Sequence, residues 1–196
     1  MQSVYQFLIE PVGGRYNNEV DVDGKSLILN SENSNHEYTN RLARVVSCPK
    51  LNNTKISDGD EIIVHHNVFR RWNDVKGQEK NSKSYFSDGL YLVSQDQIFL
   101  IKKKEGYIAM EGFSFLQPLL NEDEFSSDKE NPTVGRVVYS DGSFKEGEVL
   151  GYTPFSQYEF IIDKKRVYRV YNKFITTKYE YQGNKEEYNP SWASSS

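Results

Sequence analysis

Apolar residues in this chain come in short runs of four to eight, rich in β-branched and aromatic side chains and parted by Asn, Asp, Ser, Gly and Lys. Runs of that length and make-up predict strands rather than helices, because branched and aromatic side chains cover a pleated surface well. "VYQFLIEP" predicts a first strand, with Val4, Phe7 and Ile9 as its apolar side chains and Pro11 closing it. "LARVVSC" predicts a second strand stopped by Pro49, and "DEIIVHHNVF" a third, introduced by the Asp58-Gly59 turn pair. "DGLYLVSQDQIFLI" holds one or two more, parted near Gln95-Asp96. Residues 13–41 predict a long loop, "KLNNTKISDGD" a turn-rich crossing, and "RRWNDVKGQEKNSKSY" a second polar excursion. Helix signals are weak throughout.

The second half repeats the first in order. "FLIEP" at 7–11 returns as "FLQP" at 115–118, and "ARVVS" at 43–47 as "GRVVY" at 135–139. "ISDGDEIIV" at 56–64 returns as "FKEGEVLGY" at 144–152, and "LYLVSQDQI" at 90–98 as "VYRVYNKFI" at 167–175. Four matches in one order predict an internal duplication with unequal loops. The boundary falls near 103–107, where "KKKEG" at 102–106 is polar enough for a linker or hairpin turn. The domains expected are 1–104, carrying the long loop at about 13–41, then 105–182, then a frayed C-terminal tail at 183–196. Alternate residues supply each interior: Val45, Ile63, Leu90, Leu92 and Ile98 in the first unit, and Val137, Val149, Phe160, Val167 and Ile175 in the second.

One apolar triplet does not fit its surroundings. Leu27, Ile28 and Leu29 lie in "DVDGKSLILNSENSNHEYTNR", composed otherwise like a disordered loop and lacking the second apolar run of a tight hairpin. The shorter loop of the second unit carries only Leu119, Leu120 and Phe125. An apolar triplet on a polar tether fits a segment that orders on binding, each buried side chain contributing about 1.5–3 kcal/mol before ordering costs. The bland reading docks the triplet on its own sheet.

Charge and reactive side chains narrow the function classes. The chain has 196 residues, a formal charge of -4 and a single cysteine, Cys48. One thiol forms no internal disulfide. There is no basic stripe of the kind that binds nucleic acid, although Arg70, Arg71, Lys76, Lys80 and Lys83 do interleave with Trp72 and Tyr85. Asp74 and Glu79 dilute that charge, which favours a solvated loop with a packed tryptophan. His65 and His66 are adjacent on a predicted strand and so point to opposite faces, and His36 has no Cys/His cluster near it. Asp58 and Asp60 flank Gly59 as turn formers. No catalytic set, metal site or cofactor site is expected. No apolar run is long enough for a membrane helix, and the N-terminus lacks signal-peptide features, so a cytoplasmic protein is expected.

The ordered motifs resemble those of the co-chaperonin (GroES-like) family, in divergent form, phage-encoded or tandem-domain. In that family a first strand leads into a mobile loop with a glycine and an apolar tripeptide. Here Gly24 precedes Leu27-Ile28-Leu29, "ARVVSC" stands at the next strand with Ala43 in the glycine's place, and Gly59-Asp60 leads into Ile62 and Val64. "DGLYLVSQDQIFLI" stands at the closing hairpin, with Asp96 and Ile98 as its acidic-apolar pair. The second unit keeps Gly135 and has Gly147-Glu148 for Gly-Asp. The resemblance spans about 4–101 and, more faintly, 112–178.

The resemblance implies an all-β fold of partly open GroES-like β-barrels in tandem, in a homo-oligomeric, sevenfold ring. It implies a non-enzymatic protein without cofactors. Such a protein caps a GroEL-like chaperonin ring through Leu27, Ile28, Leu29 and Gly24 and holds an unfolded client inside, in the host cytoplasm if phage-encoded. The alternative expectation is a structural ring or virion-associated protein that uses the barrel without chaperonin binding.

Overall fold

The computed structural model describes residues 3–15, 19–22, 25–28, 41–121, 129–180 and 186–194. The chain divides into two units, Met1–Gly106 and Tyr107–Ser196. The first contains β1 (Phe7–Pro11), β2 (Glu19–Val22), β3 (Lys25–Ile28), β4 (Leu42–Ser47), β5 (Glu61–Val64), β6 (Arg71–Asn73), β7 (Glu79–Asn81), β8 (Tyr85–Ser87), β9 (Leu90–Val93) and β10 (Ile98–Lys103). After β11 (Gly106–Ala109), the second has β12 (Phe113–Leu120), β13 (Glu130–Ser140), β14 (Val149–Tyr152), β15 (Tyr158–Ile162), β16 (Lys165–Tyr171), β17 (Ile175–Lys178) and the one-turn helix α1 (Ser191–Ser194). The protein is predominantly β-sheet with little helix. Among the described residues no helix is long and apolar enough to cross a membrane.

The first sheet runs β11-β10-β5-β4-β1-β9-β8 and the second β17-β14-β13-β12-β16-β15. From β10 and from β17 onward the two orders correspond strand for strand. The correspondence reaches the register. Ile9 faces Val45 and Pro11 faces Ala43 across β1 and β4, with a bulge between Leu8 and Ile9. Leu116 faces Val137 and Pro118 faces Gly135 across β12 and β13, with a bulge between Phe115 and Leu116. Tyr91 pairs with Ile9, and Tyr168 with Leu116.

The same turn also precedes β5 and β14. The Gly59 amide donates to the Val45 carbonyl at 2.7 Å, and the Gly147 amide to the Val137 carbonyl at 2.9 Å. Both glycines sit in the left-handed region, at φ 87° and 86°, which side chains rarely adopt. The carboxylate that follows then folds back. Asp60 accepts the Ser57 amide at 2.8 Å and Glu148 the Lys145 amide at 3.2 Å. Each also pairs with a lysine at the end of the neighbouring strand, Lys103 and Lys178.

The barrel expected from sequence is absent. Each sheet is open, its order ending in an edge strand on either side, β11 and β8 in one and β15 and β17 in the other. The second sheet carries a core of Leu116, Val137, Leu150, Tyr152, Tyr168 and Val170, against which Phe144, Phe174 and Ile175 pack. Closure would need ladder hydrogen bonds between the two edges, which the order does not contain.

Most expected interior positions are buried, among them Val45, Ile63, Ile98, Val137, Val149, Phe160 and Val167. Ile175 is only half-buried, and strand β9 is out of phase, since Tyr91 and Val93 are buried whereas Leu90 and Leu92 are only half-buried. The parity is set by the tyrosine. Its ring meets Phe69 edge-on at 4.8 Å and Tyr85 at 5.7 Å, and the Arg15 guanidinium lies 5.6 Å from its centroid. In the second unit, Arg166 lies 5.1 Å from the Tyr168 ring. Arg166 also donates to Glu130 at 2.6 Å and to Glu159 at 2.7 Å, while the Tyr168 hydroxyl donates to Glu130 at 2.6 Å. These largely buried charges are mutually satisfied, which tying β13, β15 and β16 together requires.

The C-terminal tail, expected to fray, is docked over 186–193. The Leu120 amide donates to the Glu186 carbonyl at 2.8 Å and the Tyr188 amide to the Pro118 carbonyl at 2.8 Å. Asn189 bridges the Arg166 amide and the Lys164 carbonyl, and Ala193 is fully buried. Polar composition hid a segment held mainly by its backbone.

Gly135 has no room for a side chain, because an added Cβ would come within 2.9 Å of the Leu116 Cβ and 3.0 Å of the Gln117 carbonyl oxygen. Gly135→Ala is expected to destabilise the protein by about 1–3 kcal/mol through overpacking. Thermal unfolding checks this, and an unchanged melting temperature would show that the β12–β13 spacing is wrong.

Candidate interaction surface

The two units differ most in what joins their matching strands. Between β5 and β8 the chain spends residues 65–84, but between β14 and β15 only 153–157. The longer connection builds a separate ribbon, β6 against β7, with Arg71 facing Asn81, Trp72 facing Lys80 and Asn73 facing Glu79. Its tip is organised by one carboxylate. Asp74 accepts the Lys76 and Gln78 amides, each at 2.9 Å, while its own amide donates to the Gln78 carbonyl. Arg71 pairs with Glu79 at 3.2 Å and Lys80 with Asp74 at 3.5 Å. With the polar backbone groups turned inward, Val75 is left fully exposed and Trp72 half-exposed. The tryptophan is therefore not packed away, as expected from sequence.

The base of this ribbon is held by Arg15 at the start of the first long connection. Its guanidinium donates to the Phe69 carbonyl at 2.9 Å and to Asn81 Oδ1 at 2.8 Å. The Ser82 hydroxyl donates to the Val68 carbonyl at 2.5 Å, and Val68 and Phe69 are fully buried below. The ribbon therefore stands on a fixed base and presents an apolar tip.

The short counterpart does the same with five residues. Phe155 is almost fully exposed and sits at φ 61°, an unfavourable conformation for a bulky side chain. The turn is held by the Ser156 hydroxyl on the Thr153 carbonyl at 2.6 Å and by the Thr153 amide on the Phe174 carbonyl at 2.9 Å. Both units thus expose apolar side chains on the corresponding connection, Val75 and Trp72 in the first and Phe155 in the second.

The expected binding triplet is placed only in part. The backbone of Leu27 and Ile28 belongs to β3, paired with Val20 and Glu19 of β2, so residues 19–22 and 25–28 form a hairpin within the expected loop. Gly24, Leu29 and His36 lie outside the described residues. His65 and His66 follow β5, and their rings approach to 4.2 Å instead of pointing to opposite faces. The strand ends at Val64, which removes the alternation. Among the described residues no group of three or more His, Cys, Asp or Glu is placed to hold a metal.

Cys48 is half-buried, and burial, together with hydrogen bonding to Asp58 and its charge, pushes the thiol up to about 12. It stays protonated at neutral pH and makes a poor nucleophile. Asp58 in turn accepts the Cys48 amide at 2.6 Å.

No family model and no curated protein matches this chain. The resemblance to co-chaperonins is accordingly corrected on two grounds, the missing family match and the open sheets. The chaperonin partner, the sevenfold ring and the phage origin followed from that resemblance and lose their support with it. The ribbon and the Phe155 turn went unread in the sequence, although Asn73-Asp74 with Gly77 is a turn signal between two short polar arms.

The Asp58 carboxyl is held below the usual carboxylate range by hydrogen bonds from the Cys48 amide and then its thiol. A carboxyl depressed in the folded state stabilises above its unfolded value, about 3.9, and loses that contribution as pH falls through the folded value. Asp58→Asn should therefore show a shallower fall in melting temperature than the native chain between about pH 4 and pH 2. Parallel curves would mean that the Cys48–Asp58 contact does not survive in solution.

Proposed function

We propose that this protein is a non-enzymatic, self-associating structural β protein, built as a tandem copy of one open β-unit. The tandem reading is supported by the shared strand order, the bulge at the same place before Ile9–Val45 and Leu116–Val137, and the glycine-carboxylate turn present in each unit. The observation that carries the functional reading is the exposed apolar tip, Val75 or Phe155, on the same connection of both units. Single exposed apolar side chains are ordinary on a protein surface, so the weight lies on their recurrence at the same connection of both units, which suits a contact surface. Edge strands add to this. In β17, Thr176, Thr177 and Lys178 are exposed at the rim of an open sheet, where neighbouring chains can pair or pack.

Self-association suits a chain with two matching contact points, because two weak contacts on one molecule reinforce each other. The expected outcome in sedimentation velocity is a weight-average mass that rises above that of one chain with concentration, since a contact of Kd ~10 µM is largely formed at about 100 µM. A single monomeric species across that range contradicts the reading.

A further inference from the structure

We infer that the C-terminal segment 186–193 is exchanged between two copies of this chain, the segment of each seated on β12 of the other. The inference rests on the self-association proposed above and names the segment that links the copies.

The seat is a stretch of sheet edge. Strand β16 pairs with β12 from Phe113 to Leu116, and β12 runs on to Leu120. Strand β1 of the first unit ends at Pro11, the position of Pro118, so Leu119 and Leu120 extend the repeated frame. The segment pairs with that extension as an added strand does. Leu119 stands opposite Glu187, the Leu120 amide donates to the Glu186 carbonyl, and the Tyr188 amide donates to the Pro118 carbonyl, both at 2.8 Å. Side chains then fix its place. Glu187 pairs with Arg136 of β13 at 3.4 Å. Asn189 accepts the Arg166 amide at 3.0 Å and donates to the Lys164 carbonyl at 3.1 Å. The Trp192 ring lies 5.5 Å from the Arg166 guanidinium, and Ala193 is fully buried.

These partners lie far from the segment in sequence. Before it, the chain is held at Tyr179, whose amide donates to the Val149 carbonyl of β14 at 3.0 Å. Strand β13 separates β14 from β12 in the sheet order, and residues 180–185, Gly183 among them, join the two points. None of the contacts named above uses that connection, so the same segment of a second copy meets the same partners. This is why the occupant is a second copy, since every copy carries both the seat and the segment that fills it. Exchange replaces each contact by its equal, which makes it a low-cost route to a dimer. Contact between the apolar tips adds to it, because two copies held together present each tail to the other's seat at a high local concentration.

The test uses the full chain with Cys48→Ser throughout. Leu119 and Glu187 oppose each other between two ladder bonds, where Cα atoms stand about 4.5 Å apart, within disulfide reach. One chain carries Leu119→Cys and another Glu187→Cys, so a disulfide between these positions forms only between copies. Mixed at about 100 µM in a glutathione redox buffer, the two are expected to give a linked pair whose peptide map joins 119 to 187. The double variant in one chain supplies the reference cross-link. Leu119 packs with Val134 and Val149, so a second variant leaves that cluster intact. Ala193→Asp puts a charge into the buried part of the seat and is expected to weaken self-association at least about tenfold in sedimentation velocity.

A cross-link confined to the double variant, in a native chain that associates, overturns the exchange and leaves the self-association reading standing. An Ala193→Asp chain that associates as strongly as the native one does the same. A monomeric native chain removes both.

Discussion

The glycine-carboxylate turn is the constraint on which the rest of each unit depends. Gly59 must take a left-handed conformation for its amide to reach the Val45 carbonyl, and the Val45 amide then donates to the Asp60 carbonyl at 2.9 Å. Those two bonds clamp the end of β4 to the entry of β5, and Lys103 on Asp60 ties in the end of β10. In the second unit Gly147, Val137, Glu148 and Lys178 repeat the arrangement at β13, β14 and β17. Three strands are thereby registered by one turn. The bulge on β1 or β12, three or four residues along, then decides which side chains face inward.

Given that frame, the variable parts are the connections. The first unit lengthens two of them and ties them together through Arg15, whereas the second keeps both short and anchors its turn on the Phe174 carbonyl. The frame absorbs such insertions because the closure entropy of a longer loop grows slowly with its length. The exposed tips therefore sit on rigid sheets without disturbing them, an arrangement suited to presenting a contact surface.

Strand identity was legible in the sequence and sheet closure was not. The run closed by Pro11 and the break at Gln95-Asp96 became a strand end and a 3-10 turn, and the run stopped by Pro49 became a strand ending at Ser47, whereas the run expected to reach Phe69 stops at Val64. The segments that correspond by strand order are those whose composition already corresponded, Pro11 with Pro118 and Ala43 with Gly135 among them. The parity of β9 was misread because Leu90 and Leu92 are as apolar as Tyr91 and Val93. The choice was made by Phe69, far along the chain in an excursion that looked wholly polar. The hairpin at 19–28 was missed although Asp23-Gly24 lies between its arms in the sequence, because one arm alternates acids with valines. Whether edge strands meet depends on twist and bend summed over a sheet, which composition does not encode. The candidate surface was not legible: charge interleaved with aromatics pointed to a solvated loop with a packed tryptophan, and the fixed tip depends on the Asp74 contacts.

Residue-resolved amide hydrogen exchange on the full chain tests the repeated frame most directly. The account predicts slow exchange in two matched sets, at Val45, Gly59 and Asp60 and at Val137, Gly147 and Glu148, whose amides all donate within the turn and its flanking strands. Protection of one set with free exchange at the other would contradict it.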